Sequence, residues 1–117
     1  MNRPNRGEIW LARLDPSVGA EMGKTRPVLV VSQPTAGRLP LVIVVPVTDW
    51  KPAYAPLKWF IPLQPEPQNG LTKPSGADAF QVKSVSLLRL RTRLGQVADD
   101  QVETAAMAVA WCVGYGN

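Results

Sequence analysis

The 117-residue sequence contains no histidine, a single cysteine and no apolar run of membrane-spanning length. Without histidine it lacks the side chain that most often serves as a general base near neutral pH and as a metal ligand. Any catalysis therefore falls to carboxylates, hydroxyls, Lys and Arg. The nine carboxylates are scattered along the chain, whereas a two-metal nuclease gathers several around its ions; neither a metal nor an organic cofactor is expected. Cys112 can form no intrachain disulfide and, lying in an apolar run, reads as a small buried hydrophobe. A membrane helix needs about 18 consecutive apolar residues, and the polar start MNRPNRGE has no secretory apolar region. The expectation is a cytoplasmic protein with no membrane association.

Proline, glycine and positive charge are plentiful. Twelve Pro and nine Gly divide the chain into apolar pieces of strand length. Strands are expected at 7–14 (GEIWLARL), 27–32 (PVLVVS), 40–47 (PLVIVVPV), 57–63 (LKWFIPL), 79–88 (AFQVKSVSLL) and 91–97 (RTRLGQV). Residues 15–25 (DPSVGAEMGKT) and 64–78 (QPEPQNGLTKPSGAD) read as long loops, where function concentrates on a small scaffold. After Asp99 or Asp100, either of which suits a helix cap, Val102, Ala105, Ala106, Val109 and Val113 recur at spacings of three and four. This predicts a C-terminal amphipathic helix stopping near Gly114 and Gly116. The length suits one domain over residues 1–117. Two mainly β architectures satisfy the pattern: a small, strongly curved barrel that removes exposed sheet edges, or an open sheet covered by the helix.

The net charge is +4 and the isoelectric point about 9.6, but the charge is uneven. Asp99, Asp100 and Glu103 leave the last nineteen residues acidic, so the first 98 carry 13 basic against 6 acidic side chains, 13 − 6 = +7. A basic body suits a polyanion such as nucleic acid, a property shared with many proteins that bind none. Arg89, Arg91 and Arg93 fall on one face if their strand is continuous, forming either a phosphate-tracking stripe or a solvated outer face. Trp10, Trp50 and Trp59 are either core residues or platforms for unpaired bases; Trp50, in the TDWKP loop, is the one expected to be exposed.

The segment GAEMGKTRPVLVVS, residues 19–32, superficially suggests a phosphate-cradling loop. Only three residues separate Gly19 from Gly23 where four are required, and the run Val28 to Val31 favours a strand over the helix that such a loop feeds. Arg26 is more informative. Pro27 restricts the arginine backbone to extended conformations, giving either an ordinary surface arginine or a rigidly aimed fork for phosphate oxygens. Thr48 ends the apolar run LVIVVPV, which places its hydroxyl at the rim. Glu21 and Lys24 share a loop with Arg26, and Gln81, Lys83 and Ser84 matter only if their strand neighbours that loop.

RGEIWLARLDPSVGAEMGKTRPVLVVS, then VPVT, QVKSV and RLGQV before a terminal helix, together resemble the MazF/PemK family of toxin endoribonucleases. The resemblance runs over nearly the whole chain and is most specific in the first block. It implies an SH3-like small barrel of CcdB/PemK type, a homodimer that cleaves single-stranded RNA at a short sequence without a metal, and inhibition by a cognate MazE-like antitoxin with an acidic segment. By the same resemblance Arg26 and Thr48 are the catalytic pair, and Gly19, Glu21, Lys24, Gln81 and Lys83 are candidate RNA contacts; Trp50 is a candidate stacking residue from its expected exposure alone. Ala20, Met22 and Phe80 depart from the family pattern and remove polar groups that could read a base edge, so the cleavage sequence does not transfer. The implied chemistry is attack of the RNA 2′-hydroxyl on the adjacent phosphate, with Arg26 neutralising charge, Thr48 holding a phosphoryl oxygen and Glu21 the candidate base. The rival reading is a gyrase-poisoning toxin on the same fold, in which the pair is idle; a third is a barrel that binds RNA or a peptide without cutting.

Overall fold

A computed structural model describes residues 3–116; Met1 and Asn2 of the polar start, and Asn117, lie outside them. Among the described residues there are seven strands: β1 (Glu8–Arg13), β2 (Thr25–Val30), β3 (Leu41–Asp49), β4 (Phe60–Leu63), β5 (Ser75–Asp78), β6 (Lys83–Ser86) and β7 (Leu90–Gln96). Helix α1 (Asp99–Cys112) follows. They form one antiparallel sheet in the order β4-β5-β3-β2-β1-β7, with β6 also paired to β3.

The apolar run LVIVVPVTD becomes the centre of the sheet because it is wanted on both edges and both faces. One edge of β3 pairs with β2 (Leu29↔Val45). The other pairs with β6 along its first half (Val42↔Val85) and with β5 along its second (Thr48↔Gly76). Side chains alternate with the period of two that a strand imposes. Val42 and Val44 join Ala12, Leu14, Val28 and Val30 on one side; Val45 and Val47 join Ile9, Leu29, Leu63 and the helix residues Val102, Ala105 and Ala108 on the other. Burial on both faces makes residues 44–47 apolar throughout, while Leu41 and Ile43 at the start of the strand are exposed.

The end strands β4 and β7 do not pair, so between the two expected architectures the fold is a barrel-like curled sheet with one open seam. The loop of residues 64–74 fills that seam. Gln96 N–H donates to the Gln68 carbonyl at 2.8 Å, and Gly70 and Gly95 lie where a side chain would strike Leu94 and Asn69 backbone atoms. Asn69, fully buried, holds the loop together by accepting from Glu66 N–H and Leu71 N–H while donating to the Gln64 carbonyl.

Three expectations change. The loop read as 64–78 ends in strand β5, whose SGAD sequence has no β-branched or aromatic residue to signal it; pairing with β3 and β4 on its two edges holds it. The strand expected at 79–88 is interrupted by 3₁₀ turns at Ala79–Gln81 and Leu87–Arg89. Asp78 and Ser86 cap them by accepting from Phe80 N–H and Leu88 N–H, each at 3.1 Å. The strand expected at 57–63 is reduced to Phe60–Leu63. The helix forms as expected, but Ala98 is its cap: Ala98 N–H donates to Gln101 Oε1 at 3.2 Å, and Asp99 and Asp100 occupy the first turn, where negative charge complements the helix dipole. Its C-terminus closes through Gly114 N–H to Trp111 O and Tyr115 N–H to Ala110 O, the bond pair of a Schellman motif. Val113 lies beyond this end and is exposed, so the apolar face runs through Val102, Ala105, Ala108 and Val109. Cys112 is half-buried, and burial together with the Asp78 charge pushes its thiol pKa up. No helix among the described residues is long and apolar enough to cross a membrane.

Candidate functional site

The β2–β3 ladder aligns Val28 with Pro46 and Val30 with Val44. Continued by two residues, this register sets Arg26 across from Thr48, the cross-strand relation in which side chains meet. They do meet: Arg26 Nη1 donates to Thr48 Oγ1 at 3.3 Å, while Arg26 Nε donates to the Gly23 carbonyl at 2.8 Å. Because Thr48 Oγ1 accepts from the guanidinium, its own proton is available to an incoming oxygen. The remaining Nη hydrogens are likewise donors, so the pair presents hydrogen-bond donors and a fixed positive charge.

This pair lines a groove of about 440 Å³ whose wall also includes Lys24, Asp49, Thr72, Lys73 and Ser75. Asp49 and Lys73 form an exposed ion pair at 3.0 Å. Neither residue was singled out from sequence; Lys73 lies in the second long loop, which is the signal that could have found it.

The loop after β1 is tied down along its length. Leu14 N–H donates to the Lys24 carbonyl at 2.7 Å, and Arg89 Nη1 donates to the Arg13 and Asp15 carbonyls at 3.1 and 2.7 Å. The Asp15 carboxylate accepts from Lys24 N–H, the main reason its pKa is lowered, with Ser17 contributing. These bonds hold Lys24 at φ 63°, a left-handed conformation that costs a non-glycine residue about 1 kcal/mol. Gly19 is at the exposed tip. Glu21 Oε1 accepts from Val18 N–H at 2.8 Å.

The remaining sequence-predicted residues are distributed differently. Glu21, Gln81 and Lys83, with Ala20 and Phe80, line a second hollow of about 380 Å³; Glu21 does not line the Arg26–Thr48 groove. Gln81 is engaged at both ends of its amide, donating from Nε2 to Asp78 Oδ2 at 3.2 Å and accepting at Oε1 from Met22 N–H at 2.8 Å. Trp50, expected to be exposed, is half-buried: its ring packs against Gly76 and lies edge-on to Tyr54 at 5.8 Å. Trp10 donates to Glu8 at 2.9 Å, and Trp59 stacks on Trp111. The arginine stripe is not a uniform track, since Arg89 anchors the first loop and Arg93 pairs with Glu8 at 3.0 Å. Among the described residues no group of three or more Cys, Asp or Glu is placed to hold a metal.

Comparison with known proteins gives the chain a family and a fold. A sequence profile described as "PemK-like, MazF-like toxin of type II toxin-antitoxin system" matches residues 5–113. Endoribonuclease MazF9 of Mycobacterium tuberculosis is 37% identical over 99 residues, covering 80% of this chain and 81% of that protein. Endoribonuclease PemK of Escherichia coli is 54% identical over 45 residues, 38% of this chain, so the match spans only 34% of that relative. The crystal structure of MazF from Deinococcus radiodurans has the same fold, with a TM-score of 0.79 at 22% identity over 95% of this chain and 96% of that one. The chain belongs to the PemK-like, MazF-like toxins of type II toxin–antitoxin systems.

Proposed function

We propose that this chain is an endoribonuclease that cuts single-stranded RNA at a short sequence, without a metal, by promoting attack of a 2′-hydroxyl on the adjacent phosphate. The observation that carries this reading is the Arg26–Thr48 contact at 3.3 Å inside a groove that also contains Lys24 and Lys73. A phosphate seated there meets cationic and hydroxyl donors already held in place, the arrangement that stabilises charge developing on a phosphorane. Arg26 neutralises the phosphoryl oxygens and supplies a proton toward the leaving 5′-oxygen, and Thr48 donates to a second phosphoryl oxygen. The O2′–P bond forms as the P–O5′ bond breaks, giving a 2′,3′-cyclic phosphate and a 5′-hydroxyl.

An arginine side chain stays protonated at physiological pH and so cannot accept the 2′-hydroxyl proton as the base. Glu21 is the candidate from the first loop, in the second hollow; Asp49 is the carboxylate of the groove itself. Comparing Glu21→Gln with Asp49→Asn assigns the role. Gly19, Lys24, Gln81, Lys83 and Trp50 are proposed to lie along the RNA path, with Trp50 and Gln81 acting through the loops they hold. In this reading the protein works as a cytoplasmic homodimer restrained by an acidic, partly disordered antitoxin segment that competes for the basic groove.

The deciding experiment incubates the protein with long single-stranded RNA in EDTA. Discrete fragments ending in cyclic phosphate are expected, a 2′-deoxy nucleotide at the scissile position should block cutting, and Arg26→Lys should lose about 10²-fold or more in rate. Lysine keeps the charge but cannot hold both the Gly23 carbonyl and Thr48 with one fork. Intact RNA accompanied by inhibited DNA supercoiling would replace this reading with that of a gyrase poison.

A further inference from the structure

Gln81 and Asp78 stand outside the Arg26–Thr48 groove, yet they reach its machinery through hydrogen bonds joined by a short stretch of backbone. Met22 N–H can only donate and the Asp78 carboxylate, when ionised, can only accept, so the Gln81 amide between them has a single orientation that satisfies both. The distances are 2.8 Å to Met22 and 3.2 Å to Asp78. Asp78 is itself fixed, being 6% exposed and accepting from Phe80 N–H at 3.1 Å. The residue after Met22 is Gly23, whose carbonyl receives Arg26 Nε at 2.8 Å.

We propose that Asp78 and Gln81 form a polarity-coded clamp that docks the 15–25 loop and thereby sets the position of Arg26, so that Gln81 is a positioning residue and does not read RNA. For catalysis this rests on the ribonuclease reading of the groove; the docking itself does not. The physical argument is reach. Met22 and Gln81 are 59 residues apart in sequence; the bonds at Asp15, Lys24 and Arg89 hold the two ends of the loop, and the Gln81 bond is the tie from outside the loop to the stretch that leads into Gly23, whose carbonyl must be placed for the guanidinium to align with Thr48.

The test reverses the donor and acceptor roles. In Asp78→Asn the new amide keeps its oxygen on Phe80 N–H and turns an NH₂ toward Gln81, forcing the glutamine amide to flip and present its own NH₂ to Met22 N–H. In Gln81→Glu two carboxylates face each other. In the double variant the amide introduced at position 78 donates to one oxygen of the carboxylate introduced at position 81, and Met22 N–H donates to the other, with the charge of the pair unchanged. Each single variant should lower kcat for RNA cleavage about tenfold with a smaller change in KM, and reduce hydrogen-exchange protection of the Met22 amide by a similar factor. The double variant should return both to within about threefold of wild type.

Single variants that retain wild-type Met22 protection, or a folded double variant no better than Gln81→Glu, would overturn the clamp. A single variant that fails to fold while the double variant folds supports it. Wild-type protein that cuts no RNA while Met22 protection follows the predicted pattern would sink the ribonuclease reading and leave the clamp standing.

Discussion

Gly95→Ala tests how the open seam of the sheet is sealed. An added Cβ at residue 95 would strike the Gln68 carbonyl oxygen and lie 2.6 Å from the Asn69 carbonyl carbon and 2.8 Å from Asn69 Cα, where ordinary contact begins at 3.4 Å. All three obstacles are backbone, so no side chain can rotate away. The 64–74 loop has to retreat by about 1 Å, at a cost of roughly 1–3 kcal/mol for overpacking. The retreat also breaks the bond from Gln96 N–H to the Gln68 carbonyl, adding about 1 kcal/mol. Against this, alanine restricts the unfolded chain and returns about 0.4–1 kcal/mol. The net loss is about 1–3.5 kcal/mol, equivalent to roughly 4–15 °C in melting temperature for a chain of this size. The same loop supplies Gly70, Leu71, Thr72 and Lys73 to the groove wall, so cleavage measured at a temperature where the variant is still folded should also fall. Thermal unfolding followed by circular dichroism, with a fluorogenic RNA assay at about 20 °C, well below the expected transition, reads both quantities. A melting temperature within about 2 °C of wild type would show that the loop yields freely, and would refute the idea that close backbone packing holds this wall in place.

Two further outcomes follow from strained and buried groups. Lys24→Gly should stabilise the fold by about 1 kcal/mol because it removes a side chain from a left-handed backbone. It should nevertheless weaken RNA binding and reduce the salt slope by about one phosphate contact; a destabilised variant in urea titration would contradict the strain argument. Burial pushes the Glu8 carboxyl pKa up, but hydrogen bonds from Trp10, Asn5 and Arg93 outweigh it and hold the group below 4.5. A group with a depressed folded-state pKa stabilises the protein above its unfolded value, and this contribution is lost as pH falls through the folded one. Glu8→Gln should therefore cost about 1–3 kcal/mol at pH 7 and show a shallower loss of stability than wild type below pH 4.5. Asp78 runs the opposite way: burial outweighs its hydrogen bonds and raises its pKa, so acid relieves a penalty there. Parallel acid limbs for wild type and Glu8→Gln in urea unfolding would remove Glu8 from the explanation.

Local chemistry was enough to reveal much of this protein. Proline and glycine spacing, β-branched runs and a three- and four-residue apolar repeat are properties of contiguous residues, and they located β1, β2, β3, β7 and the helix with errors of a few residues. Pro27 after Arg26 and the apolar strand ending at Thr48 were equally visible, as were the motifs carrying the family resemblance. What remained hidden depends on residues distant in the chain. The SGAD strand exists because two neighbours pair with it, and the seam is sealed by a loop meeting β7 through Gly70 and Gly95. Gln81 grips Met22 across 59 residues, Lys73 joins Asp49 at the groove, and Glu21 falls in the second hollow. Short-range propensity specifies which segments extend and which coil; register, sheet curvature and hydrogen bonding across the fold decide which polar groups share a cavity, because only the folded chain brings them within bonding distance.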